Sequence, residues 1–104
     1  MGKNGVMHTL QTVLGRIAIH KILLKKGNRL EAKKHLQDEI RDYSANIFEL
    51  ANSYTWTKSE IEMIMQKAVK DTRNFTKAYP DVEITQANIQ EAVVDTMQEL
   101  MMIK

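Results

Sequence analysis

An all-α fold, four to five helices in a small bundle, is predicted by three features of the sequence. Apolar residues recur every three or four positions through most of the chain. Breakers are few: there are one proline and four glycines, and no Asn-Gly hairpin joins two plausible strands. The stretches "TWTKSEIEMI" and "EITQANIQEA" also open a helix with the same device. In the first, Thr57 is the cap, Glu60 its capping-box partner, and Trp56 with Ile61 a hydrophobic staple. In the second, Thr85, Asn88 and the pair Ile84 and Ile89 stand in the same places.

The elements follow in order. Over residues 6–26, Val6, Leu10, Val13, Leu14, Ile17, Ile22 and Leu24 make a roughly helical stripe. Gly15 interrupts it at a cost of about 1 kcal/mol relative to alanine. The β-branched "RIAIHKILL" has strand propensity, but nothing else in the chain offers it a strand partner. Gly27 is a natural stop, with Lys25 and Lys26 in the last turn, where the helix dipole favours cations. Asn28 restarts the helix with Glu31 at capping-box spacing, and Leu36, Ile40, Tyr43, Ile47, Leu50 and Ala51 carry it to about Asn52. Ser44 or Asn46 would cap a second, shorter helix inside this span, so one helix and two are both compatible with it. Ile61, Ile64, Met65, Ala68, Thr72, Phe75 and Tyr79 form the third stripe, closed by Pro80. Ile89, Val93, Met97, Leu100 and Met101 form the last. An antiparallel pair across "YPDVEI" is expected. The chain thus divides into residues 1–27, a basic N-terminal helix or linker, and residues 28–104, a helical bundle, within one compact domain.

A chain of 104 residues is long enough for one core and too short for two. Apolar content of 43% with 27% charged residues is that of a folded domain rather than a disordered one. The absence of cysteine excludes disulfides, thiolate metal sites and a cysteine nucleophile. No apolar run is long enough to span a membrane and no signal peptide is visible, so a cytoplasmic setting is expected. Charge is uneven. Residues 1–34 carry eight lysines and arginines against one acid, Glu31, a balance of +7. The remainder carries seven against twelve, a balance of −5. Such a block either steers a nucleic acid or an acidic surface to one end, or is a solvated basic face balanced by an acidic one.

Chemistry is sparsely represented. No glycine-rich loop ends in Lys and Ser/Thr to cradle phosphates and hold magnesium. His8, His20 and His35 are far apart in sequence, and His8 and His20 point about 120° apart on an ideal helix, which argues against a zinc site. The pairs Asp38/Asp42 and Glu91/Asp95 have the spacing of solvated helix faces. No glycine-flanked serine presents a nucleophile. Seven methionines fit core filling better than a plastic binding surface. No catalytic residue and no metal ligand is assigned.

The order of features over residues 29–94 resembles the C-terminal helical lid subdomain of AAA+ ATPases of the proteasome-ATPase, FtsH and spastin kind. The stretches that carry the likeness are "RLEAKKHL", "ELANSYT", "TKSEI", "QKAVKD" and "ITQANIQEAV". The preceding "LGRIAIHKILLKKGNR" is similar to the family's last core strand and its link to the lid. The family's Gly-Ala at the helix start is replaced here by Lys58 and Ser59, the interval from Leu50 to Ile61 is one residue shorter, and His35 falls one position before the family's nucleotide-contacting histidine. The resemblance implies that residues 28–104 fold over ATP bound to a neighbouring α/β core. It places Lys58 and Ser59 near the phosphates, and has hydrolysis shift the lid against the next subunit. ATP and magnesium would belong to a parent ATPase, whose core and neighbouring subunits would be the partners, with no cofactor held by this chain.

Two other readings compete with a lid. One is a basic helical nucleic-acid-binding protein, histone-like or a small regulator, using Arg16, Lys21, Lys25, Lys26, Arg29, Lys33 and Lys34. The other is a helical adaptor that binds a protein through an apolar groove.

Overall fold

A computed structural model describes residues 2–27 and 30–104. It contains four helices, α1 (Lys3–Lys26), α2 (Leu30–Asn52), α3 (Lys58–Thr76) and α4 (Gln86–Glu99), and no strand among the described residues. The small all-helical bundle expected from the sequence is thus what the chain forms.

The helices run up, down, up and down, and α1 is the hub. Lys3 of α1 meets Glu60 of α3, and Gly15 meets Thr72, both pairs 57 residues apart, so α3 lies parallel to α1. Lys21 and Lys25 meet Asp95 and Glu91, so α4 is antiparallel to it. The backbone of α2 comes within packing distance of α1 and, among the described residues, of no other helix.

Burial follows this plan. Val6, Leu10, Leu14, Ile17, Ala18 and Ile22 of α1 pack with Ile64 and Ala68 of α3 and Ile89, Val93 and Met97 of α4 in one core. Each large aliphatic side chain removed from water there contributes about 1.5–3 kcal/mol. Thr72 and Thr96 are buried without penalty, because their hydroxyls donate to the carbonyls of Ala68 and Ala92 one turn back. Of α2's described residues only Ile47 and Ala51 are buried, while Leu36, Ile40, Tyr43 and Leu50 are half-buried.

Several expectations change at this level. "RIAIHKILL" is helix rather than a core strand and its link, because α1 satisfies its own backbone and buries Ile17, Ala18, Ile19 and Ile22 against its neighbours. Residues 30–52 form one helix, without a break at Ser44 or Asn46; the proposed cap Asn28 and the side chain of Glu31 lie outside the described residues. Helix α3 ends at Thr76, ahead of Tyr79 and Pro80, and Tyr79 is exposed. Met101 does not join the α4 stripe and is 71% exposed. The two capping boxes form as read, with Glu60 and Asn88 each accepting from the cap's backbone N–H at 2.9 Å.

Gly15 has a structural reason. A Cβ there would stand 3.1 Å from Asp71 Cβ and 3.4 Å from Phe75 Cε2, so glycine is what lets α3 approach α1 this closely. Gly27 closes α1 as expected, donating its N–H to Leu23 O at 2.7 Å.

Candidate functional site

Lys58 and Ser59 lie at one end of a body 39 Å long, and most of the described basic residues read from the sequence lie towards the other. Lys58 and Ser59 occupy the first turn of α3, beside the start of α1, and both are exposed. Lys21, Lys25, Lys26, Lys33 and Lys34 gather at the other end, and Arg16 lies midway along α1. The two groups therefore cannot grip one small ligand together.

The α3 end is held by a compact set of polar bonds. Thr57 Oγ1 accepts from Glu60 N–H at 3.1 Å, and Glu60 Oε1 accepts from Thr57 N–H. The same carboxylate oxygen receives the Lys3 ammonium at 2.9 Å. These contacts, the Thr57 backbone bond first and Lys3 second, hold the Glu60 carboxyl below the usual carboxylate range against a smaller opposing effect of burial. A cation at the start of a helix opposes its dipole. Lys3 nonetheless has three compensating contacts: Glu60, the Thr55 carbonyl at 3.3 Å, and the face of Trp56, whose ring centre lies 5.4 Å away. Trp56 in turn donates from Nε1 to Ala51 O at 2.8 Å and so joins the end of α2 to the start of α3.

Around this frame stand the exposed apolar side chains of Phe48 (41%) and Tyr54 (36%) and that of Met101. Asn52 ties the end of α2 to the end of α4, its Nδ2 donating to the carbonyl of Phe48 in its own helix and to that of Leu100. Met101 has φ 61°, the left-handed region. It closes α4 in a Schellman turn, with Met102 N–H bonded to Met97 O and Met101 N–H to Gln98 O, both at 3.0 Å. With Glu60 turned inward onto Lys3 and Thr57, the α3 start offers a ligand an outward ammonium, Lys58, and a hydroxyl, Ser59.

At the opposite end two lysines of the basic block, Lys21 and Lys25, are matched by acids that lie far away in sequence. Lys21 is 15% exposed and sits between Asp95 at 3.2 Å and Glu99 at 2.9 Å. Lys25 reaches Glu91 at 3.6 Å, and Lys26 donates to the Glu83 carbonyl at 2.6 Å. A shallow groove of about 280 Å³ lies between these lysines and Asn88, Glu91 and Asp95 of α4. Arg16, Lys33 and Lys34 are exposed and have no acidic partner among the described residues, and Arg29 lies outside them. Part of the basic block is thus folded against acids of α4 across the α1–α4 contact, through Lys21 and Lys25.

A third cluster was not read from the sequence. Glu39 of α2 holds two imidazoles, His20 Nε2 of α1 on one carboxylate oxygen and His35 Nε2 of its own helix, at 3.0 Å, on the other. His20 Nδ1 lies against the Arg16 carbonyl, and the ring meets Tyr43 edge-on with centroids 5.9 Å apart. The His35–Glu39 half is legible as an i,i+4 pair, but nothing in the sequence points to His20. Among the described residues no three His, Asp or Glu side chains converge on a metal position, and no helix is long and apolar enough to cross a membrane. No protein-family model, no curated protein and no solved structure matches the chain.

Proposed function

We propose that the chain is the helical lid of an AAA+ ATPase, a subdomain for nucleotide sensing and subunit assembly that does no chemistry by itself. The reading rests on α2, α3 and α4, since the stretch likened to a core strand is helical. The observation that supports it best is the grouping at one end of Lys58 and Ser59, outward in the first turn of α3, with exposed Phe48, Tyr54 and Met101. An ammonium and a hydroxyl at a helix start suit a phosphate, and the apolar side chains around them suit a core docked over it. The phosphate-binding loop and magnesium-binding acids then belong to another part of the parent protein.

The test is to purify the native polypeptide through a tag at its own locus, then measure its mass and its ATPase activity. A much larger, ATP-hydrolysing polypeptide is expected, in which Lys58→Ala raises KM for ATP about tenfold or more, as for loss of a charge-assisted bond. A 12.0 kDa polypeptide with no ATPase bound to it overturns the lid reading. Should that short polypeptide bind DNA with an affinity that falls steeply with salt, the basic-protein alternative takes its place; a fixed protein partner would point to the adaptor.

A further inference from the structure

From the geometry around Glu39 we infer that His20 is a proton-operated latch holding the first half of α2 against α1. The ring faces an acceptor on each side. The Arg16 carbonyl at Nδ1 has no proton to give, and neither has the ionised Glu39 carboxylate at Nε2. Both nitrogens must therefore donate, which only the imidazolium does. A neutral ring keeps one bond and turns a lone pair on the other oxygen, and that repulsion falls on the contact between the two helices.

The latch matters because the apolar residues that hold this part of α2, Leu36 and Ile40, are only half-buried. Ile47 and Ala51, its buried residues, lie in its last two turns, and from Ala32 to Ile40 no described side chain is fully buried. The groups facing His20 are Glu39, Tyr43 and, through Glu39, His35 from α2, and Arg16 from its own helix. No charged group of α3 or α4 pairs with it among the described residues, and its neighbour Lys21 turns to Asp95 and Glu99. Ala32, His35 and Leu36 also form one wall of a groove of about 710 Å³, opposite Tyr79 and Val82. Letting go of the latch widens that groove. The sign follows from the proton: attachment is full where imidazoles are protonated and weakens as pH rises through the range, roughly pH 5 to 8, where they change charge.

Amide hydrogen exchange of the whole chain, expressed as protection factors at about pH 5.5 and about pH 8, tests this. Protection over residues 34–42 is expected to fall severalfold at the higher pH relative to α3 and α4. Glu39→Gln, which can donate to a neutral His20 as well as accept from it, should abolish the difference, and His35→Asn should keep most of it. An equal change in all four helices, a Glu39→Gln variant that keeps the drop, or a His35→Asn variant that loses it would each overturn the assignment. The wild-type comparison stands even if a variant fails to fold.

Discussion

Helices α1 and α2 are almost equal in length, 24 and 23 residues, yet they do opposite work. The first buries nine residues, Gly15 among them, and is packed by all three other helices; the second lies on α1 alone and buries two of its described residues. The tidier apolar stripe belongs to α2, and the poorer periodicity to α1. Periodicity measures one-sided burial, so a hub helix surrounded by partners shows a weak stripe, while a helix lying on a surface shows a strong one. Neatness of pattern is therefore a poor guide to which helix the fold depends on.

The contrast is broken or upheld first by cavity mutations. Leu14 is wholly buried on α1, and Leu14→Ala is expected to cost about 3–5 kcal/mol of unfolding free energy. Ile40 of α2 is half-buried, and Ile40→Ala should cost about 1 kcal/mol, since only part of its surface leaves water. Urea denaturation of the two variants measures both. Equal losses would mean that α2 belongs to the core as fully as α1 does.

Next comes the α1–α3 crossing. Gly15→Leu forces a branched side chain where even a Cβ meets Asp71 Cβ at 3.1 Å, so a loss of about 1–3 kcal/mol is expected. Gly15→Ala sets a helix-propensity gain of about 1 kcal/mol against the same contact and should end near zero. A leucine variant as stable as the wild type would show that α3 can ride further out, and the hub would be looser than its packing suggests.

What was legible in the sequence divides along the same line. Each local device was readable, because caps, staples and breakers act within a few residues. Thr57 with Glu60, Thr85 with Asn88, and the stop at Gly27 all form as their spacing implies. What depends on partners distant in sequence was not readable. Gly15 scores as a flaw in an isolated helix and becomes a contact only when Asp71 arrives 56 positions later. The basic block looks like a free surface until Asp95, Glu99 and Glu91 close on Lys21 and Lys25. The candidate residues Lys58 and Ser59 were legible as a helix start. Their grouping with Phe48, Tyr54 and Met101 was not, since it arises from helix ends brought together by folding.

Met101 carries the next, smaller effect. A left-handed φ costs a residue with a Cβ about 1 kcal/mol relative to glycine, and a Schellman turn ordinarily places glycine there. Met101→Gly is therefore expected to stabilise the chain by about 1 kcal/mol in thermal or urea unfolding, with the α4 turn unchanged. A loss of stability instead would mean that the exposed methionine packs onto the bundle end, and Met101 would leave the proposed docking surface.

The smallest effect concerns how the two helices are tied, and it sets their pH responses against each other. The start of α1 is tied to α3 through Lys3 and Glu60, a carboxylate held below its ordinary range by Thr57 and Lys3. A depressed carboxyl favours folding fully above the unfolded value of about 4.3, and its contribution is lost as pH falls through the folded one. The tie of α2 through His20 runs the other way and weakens as pH rises. Glu60→Gln keeps a side-chain acceptor for the capping box but lacks the charge, so it should already have given up this small contribution at neutral pH. Its urea midpoint should fall less than the wild type's between about pH 5 and about pH 3. Identical acid limbs would show that Glu60 titrates alike folded and unfolded. The Lys3 contact would then hold α1 in place without making that hold sensitive to acid.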